Sequence, residues 1–80
     1  MQPEAEVQGI LIFIAKRLAD ARRLEGILAQ AGIEYTVEPD EYQSGIVFRT
    51  ARVGAFFYVD PADKEKASAV MLEHGYVPAA

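Results

Sequence analysis

Residues 10–37 read ILIFIAKRLADARRLEGILAQAGIEYTV, and three changes of pattern within this stretch decide the fold. Ile10, Leu11, Ile12, Phe13 and Ile14 are apolar at every position instead of every second one. A β-branched run of that kind, too short for a helix, predicts a strand over 7–15 that is covered on both faces. From Leu18 onward the apolar residues Leu18, Ala21, Leu24, Ile27, Leu28 and Ala31 recur at steps of three and four, with Asp20, Arg22, Arg23, Glu25 and Gln30 between them. This is the stripe of an amphipathic helix. Gly32 stands where a left-handed C-terminal cap belongs, so the helix is expected to stop there and the chain to turn. Ile33, Tyr35 and Val37 then alternate with Glu34, Thr36 and Glu38, the period of a strand with one face in water, and an edge strand is expected.

Working outward, Pro39-Asp40-Glu41-Tyr42-Gln43-Ser44-Gly45 is turn chemistry throughout and predicts the one substantial loop. Ile46, Val47 and Phe48 suggest a short strand, and Arg52-Val53-Gly54 a turn or bulge. Ala55-Phe56-Phe57-Tyr58-Val59 is the second run that is apolar on both faces. Asp60-Pro61-Ala62-Asp63 has the form of a helix start: Asp60 to accept from free N–H groups, Pro61 preset for the first helical position, Asp63 favourable to the dipole. Ala67, Val70 and Met71 supply the inner stripe of this second helix, Gly75 ends it, and Tyr76-Val77 is read as a very short closing strand. Met1 to Glu6 is a polar leader without periodicity, and residues 7–80 form a single domain. The order β-α-β-β-α(-β) is the split β-α-β arrangement of ferredoxin-like folds, an α+β class in which both helices cover one face of an antiparallel sheet. The first and third main strands are expected to be central.

Composition narrows the chemistry. Eighty residues, 51% of them hydrophobic, bound the chain to one small domain. Twelve acidic against eight basic residues leave a net charge of −4, which disfavours nucleic acid and anionic membrane as partners. The absence of cysteine excludes disulfides, thiolate catalysis and Cys-based zinc sites, and no metal or cofactor is expected. The single histidine restricts acid–base chemistry. Without a signal-peptide layout, and with an apolar run at 10–15 far short of the roughly 20 residues of a membrane helix, the expected location is the cytoplasm.

Two strands that are apolar on both faces pose a problem when helices cover only one of them. Several large side chains on the open face would make an apolar patch unusual for a monomer. At about 25 cal/mol per Å², covering a few hundred Å² contributes several kcal/mol, comparable with the stability of a small domain. A homo-oligomer, dimer or trimer, is therefore expected, with Leu11, Phe13, Phe56 and Tyr58 at its interface.

The stretch from Ala19 through Ala31-Gly32-Ile33 resembles the "helix, then Ala-Gly-Ile, then strand" signature of the DUF2007 family, described as prokaryotic signal-transducing proteins. Phe57-Tyr58-Val59-Asp60-Pro61-Ala62-Asp63-Lys64-Glu65-Lys66-Ala67 is similar to that family's "strand, acidic turn, helix" ending. The likeness extends from Ile10 to Gly75, while the segment between Pro39 and Gly54 departs from it by lacking a longer Gly- and Leu-containing insert. The resemblance implies a domain similar in fold to the nitrogen-regulatory PII (GlnB-like) proteins, trimers that bind effectors between subunits. The PII effector loop has no counterpart, since Tyr42 is the one tyrosine there and its surroundings are acidic.

The candidate ligand site is Arg49 and Arg52, flanking an expected hairpin tip and suited to a carboxylate or phosphate, with Tyr42 and Ser44 beside them. Solvated turn residues explain the same letters. His74, in the last turn of the second helix, suits a favourable contact with the helix dipole better than a base or metal ligand. No catalytic residue is assigned. The leading function is a small regulatory or interaction module that senses a small anionic metabolite or meets a regulatory protein partner. The alternatives are a small ferredoxin-like isomerase or lyase using His74 or a tyrosine, and an RNA-binding module. For the last, Ile12-Phe13-Ile14 and Arg52 to Val59 resemble the RNA-recognition motifs only out of register and without a basic cluster.

Overall fold

The computed structural model describes residues 9–44 and 50–79. Its elements are β1 (Ile10–Ala15), α1 (Leu18–Gln30), β2 (Tyr35–Ser44), β3 (Thr50–Val59), a 3-10 turn at Pro61–Asp63, and α2 (Lys64–Glu73). The three strands form an antiparallel sheet in the order β1-β3-β2. This is the α+β, ferredoxin-like arrangement read from the sequence: β1 and β2 are linked through α1, and β3 is inserted between them. The leader at 1–6, the short strand expected at 46–48 and Arg49 lie outside the described residues.

Both helices end as their glycines require. Gly32 and Gly75 have φ of 75° and 86°, the left-handed conformation that other residues adopt at a cost. After α1 the N–H of Gly32 donates to the Ala29 carbonyl and that of Ile33 to the Leu28 carbonyl. After α2 the N–H of Gly75 donates to Leu72 and that of Tyr76 to Met71. Each pair of bonds is a Schellman motif, and each brings two buried side chains together, Ile33 with Leu28 and Tyr76 with Met71. Ahead of α2 the Asp60 carboxylate accepts from the Ala62 N–H at 2.9 Å, with Pro61 at the first turn position. Loss of that bond in Asp60→Ala is expected to cost about 0.5–2 kcal/mol, read as a lowered urea midpoint with unchanged m-value.

The middle of the chain differs from the sequence reading. Residues 39–44, expected as a loop, are strand, and β2 continues in unbroken register from Tyr35 opposite Val59 to Ser44 opposite Thr50. Arg52-Val53-Gly54, expected as a turn or bulge, lies inside β3. Pro39 and the acidic residues around it have low strand preference, so pairing with β3 and not local propensity holds them extended. An edge strand tolerates a proline because one of its flanks needs no donor. Among the described strands only β3 is central; β1 is flanked on its other side by the C-terminal segment, where Ala79 N–H donates to the Ile12 carbonyl at 2.6 Å. The closing strand expected at Tyr76-Val77 is reduced to that contact.

The bulge sits in β1. Leu11 pairs with Tyr58 and Phe13 with Phe57, leaving Ile12 without an opposite residue. An extra residue in one strand puts two successive side chains on the same face. Ile12 is fully buried, and Phe13 meets Tyr76 edge-on with ring centroids 5.4 Å apart. Leu24 and Leu28 of α1, Ala67 and Met71 of α2, and Phe57 and Val59 of β3 complete one core on this side of the sheet. Leu18, the first residue of the α1 stripe, is an exception at 68% exposed, because no element packs over the first turn. Tyr76 is buried by its ring and donates its hydroxyl to the Asp20 carboxylate at 3.2 Å, so its polar end is satisfied.

Candidate functional site

The register assigns every strand position to a side. Phe57, Val59 and Ala55 of β3 face the helices with Val37, Tyr35 and Pro39 of β2. The alternate positions face away: Phe56 and Tyr58 on β3, paired with Ile14 and Leu11 on β1. These four side chains are half-buried by one another and are covered by neither helix. On the other flank β2 contributes Thr36 opposite Tyr58, Glu38 opposite Phe56, and Asp40 opposite Gly54. The open face thus has an apolar centre on two strands and a polar, acidic border on the third. An apolar centre within a polar rim is the usual anatomy of a protein–protein contact.

Of the interface residues expected from the sequence, Leu11, Phe56 and Tyr58 share this face. Phe13 does not. The bulge at Ile12 turns it toward the helices, and Ile14 takes the outer position in its place. No signal in the sequence distinguishes the two, since every residue from Ile10 to Ile14 is apolar.

At one end of the face Gly54 leaves a gap that its neighbours close. A Cβ there would lie 3.0 Å from Tyr42 Cε1, 3.1 Å from Ile14 Cγ2 and 3.2 Å from the Ala15 carbonyl oxygen. Tyr42 therefore lies over the backbone of β3, and the Lys16 Nζ stands 5.1 Å from the centre of its ring. Such a cation–π contact contributes about 0.5–1 kcal/mol at an exposed site. Gly54→Val is expected to push Tyr42 and Ile14 apart and to cost about 1–3 kcal/mol, checked by thermal unfolding followed by circular dichroism.

The predicted ligand residues converge on the same end. Tyr42 and Arg52 are direct cross-strand partners, and Ser44 follows two positions along β2, opposite Thr50. Arg49 lies outside the described residues. Lys16, which the sequence reading passed over, joins them because β1 ends beside this part of the hairpin. The result is a cationic corner, with Lys16 over the ring of Tyr42 and Arg52 opposite Tyr42 on β3, on a chain that is acidic as a whole.

His74 is exposed, and its Nδ1 lies 3.0 Å from the Val70 carbonyl oxygen one turn earlier, to which the protonated nitrogen donates. Its ring serves the end of its own helix. Among the described residues no polar or charged side chain is buried, no group of three or more His, Asp or Glu is placed to hold a metal ion, and no helix is long and apolar enough to cross a membrane.

Fold and face together define a two-layer α+β domain with one sheet face that neither helix covers. No family model, curated protein or solved structure matches the chain.

Proposed function

We propose that this chain is a small cytoplasmic regulatory or interaction module that self-associates through the open face of its sheet and senses a small anion at the cationic corner of that face. The observation that carries the reading is the half-buried set Leu11, Ile14, Phe56 and Tyr58, on the side of the sheet that neither helix covers. Removing such a patch from water is favourable at about 25 cal/mol per Å², and a second copy supplies a matching apolar surface. The resemblance read from the sequence implies a fold similar to that of the PII proteins, which are trimers, and an assembly of this chain agrees with it. RNA is a poor occupant of the face because the Glu38 carboxylate stands directly beside Phe56, where a stacked base would bring its phosphate. Of the groups the enzyme alternative would use, His74 or a tyrosine, His74 is exposed and engaged with its own helix, which weighs against that alternative.

Multi-angle light scattering at tens of micromolar is the test. A dimer or trimer mass supports the proposal and a monomer mass overturns it. The anion part is separable: a thermal-shift screen of phosphates and small carboxylates is expected to find a ligand whose stabilisation is lost in Arg52→Gln. Equal stabilisation of parent and variant rejects the corner as the site.

A further inference from the structure

The other side of the sheet carries a second feature. The β2–β3 hairpin runs past the start of α1: Val37 and Ala55, on the helix side by register, pack against the edge of the core, and Pro39 and Val53 lie on the same side farther along the hairpin. Between them and the first turn of α1 lies a cleft of about 320 Å³, at the lower end of the roughly 300–1,000 Å³ of small-molecule sites. Leu18 on one side and Val53 on the other are 68% and 67% exposed, so two of the large apolar side chains left in water belong to this one cleft.

The charge at the cleft is opposite to that of the chain. Its lining includes Lys16 and Arg17 and no carboxylate, in a protein with twelve acidic residues. The Lys16 ammonium is turned to Tyr42, leaving Arg17 as the cation available at the mouth. Arg17 is exposed, and among the described residues its side chain makes no hydrogen bond or ion pair. Glu41 pairs with the lining residue Val53 across the strands and is exposed, while Asp20, in the first turn of α1, accepts from the Tyr76 hydroxyl. An open apolar cleft with an exposed arginine among its lining residues complements one kind of molecule, a single apolar tail ending in a carboxylate.

We infer that this cleft binds a small apolar monocarboxylate, with its tail between Leu18, Val37, Pro39 and Val53 and its carboxylate on Arg17. The cleft lies on the helix side and the proposed self-association uses the other, so those two readings can fail separately; Lys16 lines the cleft and also belongs to the cationic corner, and comparing Arg17→Gln with Arg52→Gln tells the two anion sites apart.

The test is an NMR titration of the full chain with octanoate, octanol, octylamine and acetate. Octanoate is expected to give saturable shifts at the Leu18, Val53 and Ala55 amides, with octylamine and acetate about tenfold weaker or worse. Arg17→Gln, at an exposed position that leaves the core untouched, is expected to weaken octanoate about tenfold and leave octanol unchanged, and Glu41→Gln to strengthen octanoate. The inference is overturned by any of four results: no saturable octanoate binding, octylamine or acetate binding as well as octanoate, unchanged affinity in Arg17→Gln, or shifts centred on Leu11, Phe56 and Tyr58 instead.

Discussion

Phe57→Ala is expected to cost about 3–5 kcal/mol and to leave the chain largely unfolded at 25 °C, since a small domain has about that much stability to lose. Phe57 is the largest of the side chains fully withdrawn from water. It sits on the one strand with neighbours on both sides, opposite Phe13 on β1 and Val37 on β2, with the Tyr35 ring 6.0 Å away. Those neighbours belong to a sheet fixed by backbone pairing and cannot close over the void, so the cavity penalty adds to the lost transfer energy. Urea denaturation of parent and variant measures the difference. A loss under 1 kcal/mol, allowing for extrapolation error, is incompatible with a core centred on this ring.

The neighbouring residue is expected to behave in the opposite way. Phe56→Lys leaves the domain folded, with a native far-ultraviolet spectrum, but separates its copies, weakening association by about two to three powers of ten. One step along a strand moves a side chain to the other face, so Phe56 lies outside the core that Phe57 centres. In the monomer the new ammonium lies opposite Glu38, a favourable cross-strand pair in water. In the proposed assembly the same charge would have to lose its hydration within an apolar contact, which costs several kcal/mol. Sedimentation velocity on parent and variant separates these states. A folded variant with the parent's oligomeric mass places the contact elsewhere and removes the open face from the proposal.

The contrast between these two phenylalanines also separates what was legible in the sequence from what was not. The helices were legible because their signals are local: a stripe at three- and four-residue steps, an Asp-Pro start, and a glycine at the position where only positive φ completes the Schellman bonds. The strand order followed from those elements by topology. The hairpin was not legible. Pro39 to Ser44 carries the letters of a turn, and these residues are extended because β3 offers them a ladder, a partner that no window of neighbouring residues reveals.

The candidate site was half legible for the same reason. Arg52 was singled out as flanking a hairpin tip, with Tyr42 and Ser44 beside it, yet the pairing of Tyr42 with Arg52 follows from register, and the approach of Lys16 to Tyr42 from the meeting of β1 with the hairpin. Phe13 was assigned to the wrong face because alternation was counted without the bulge, and in a run that is apolar throughout nothing marks the extra residue.

By itself, then, the chain's order of apolar, polar and glycine residues determined two amphipathic helices, their ends, a sheet with greasy strands and an acidic, cysteine-free surface, because each of these depends on residues within a few positions of one another. The tertiary structure alone decided which side of the sheet each side chain meets, how far the hairpin extends beyond α1, and therefore where the uncovered face and the cleft lie. Those depend on register between strands tens of residues apart, and a shift of one residue in that register exchanges the core for the surface.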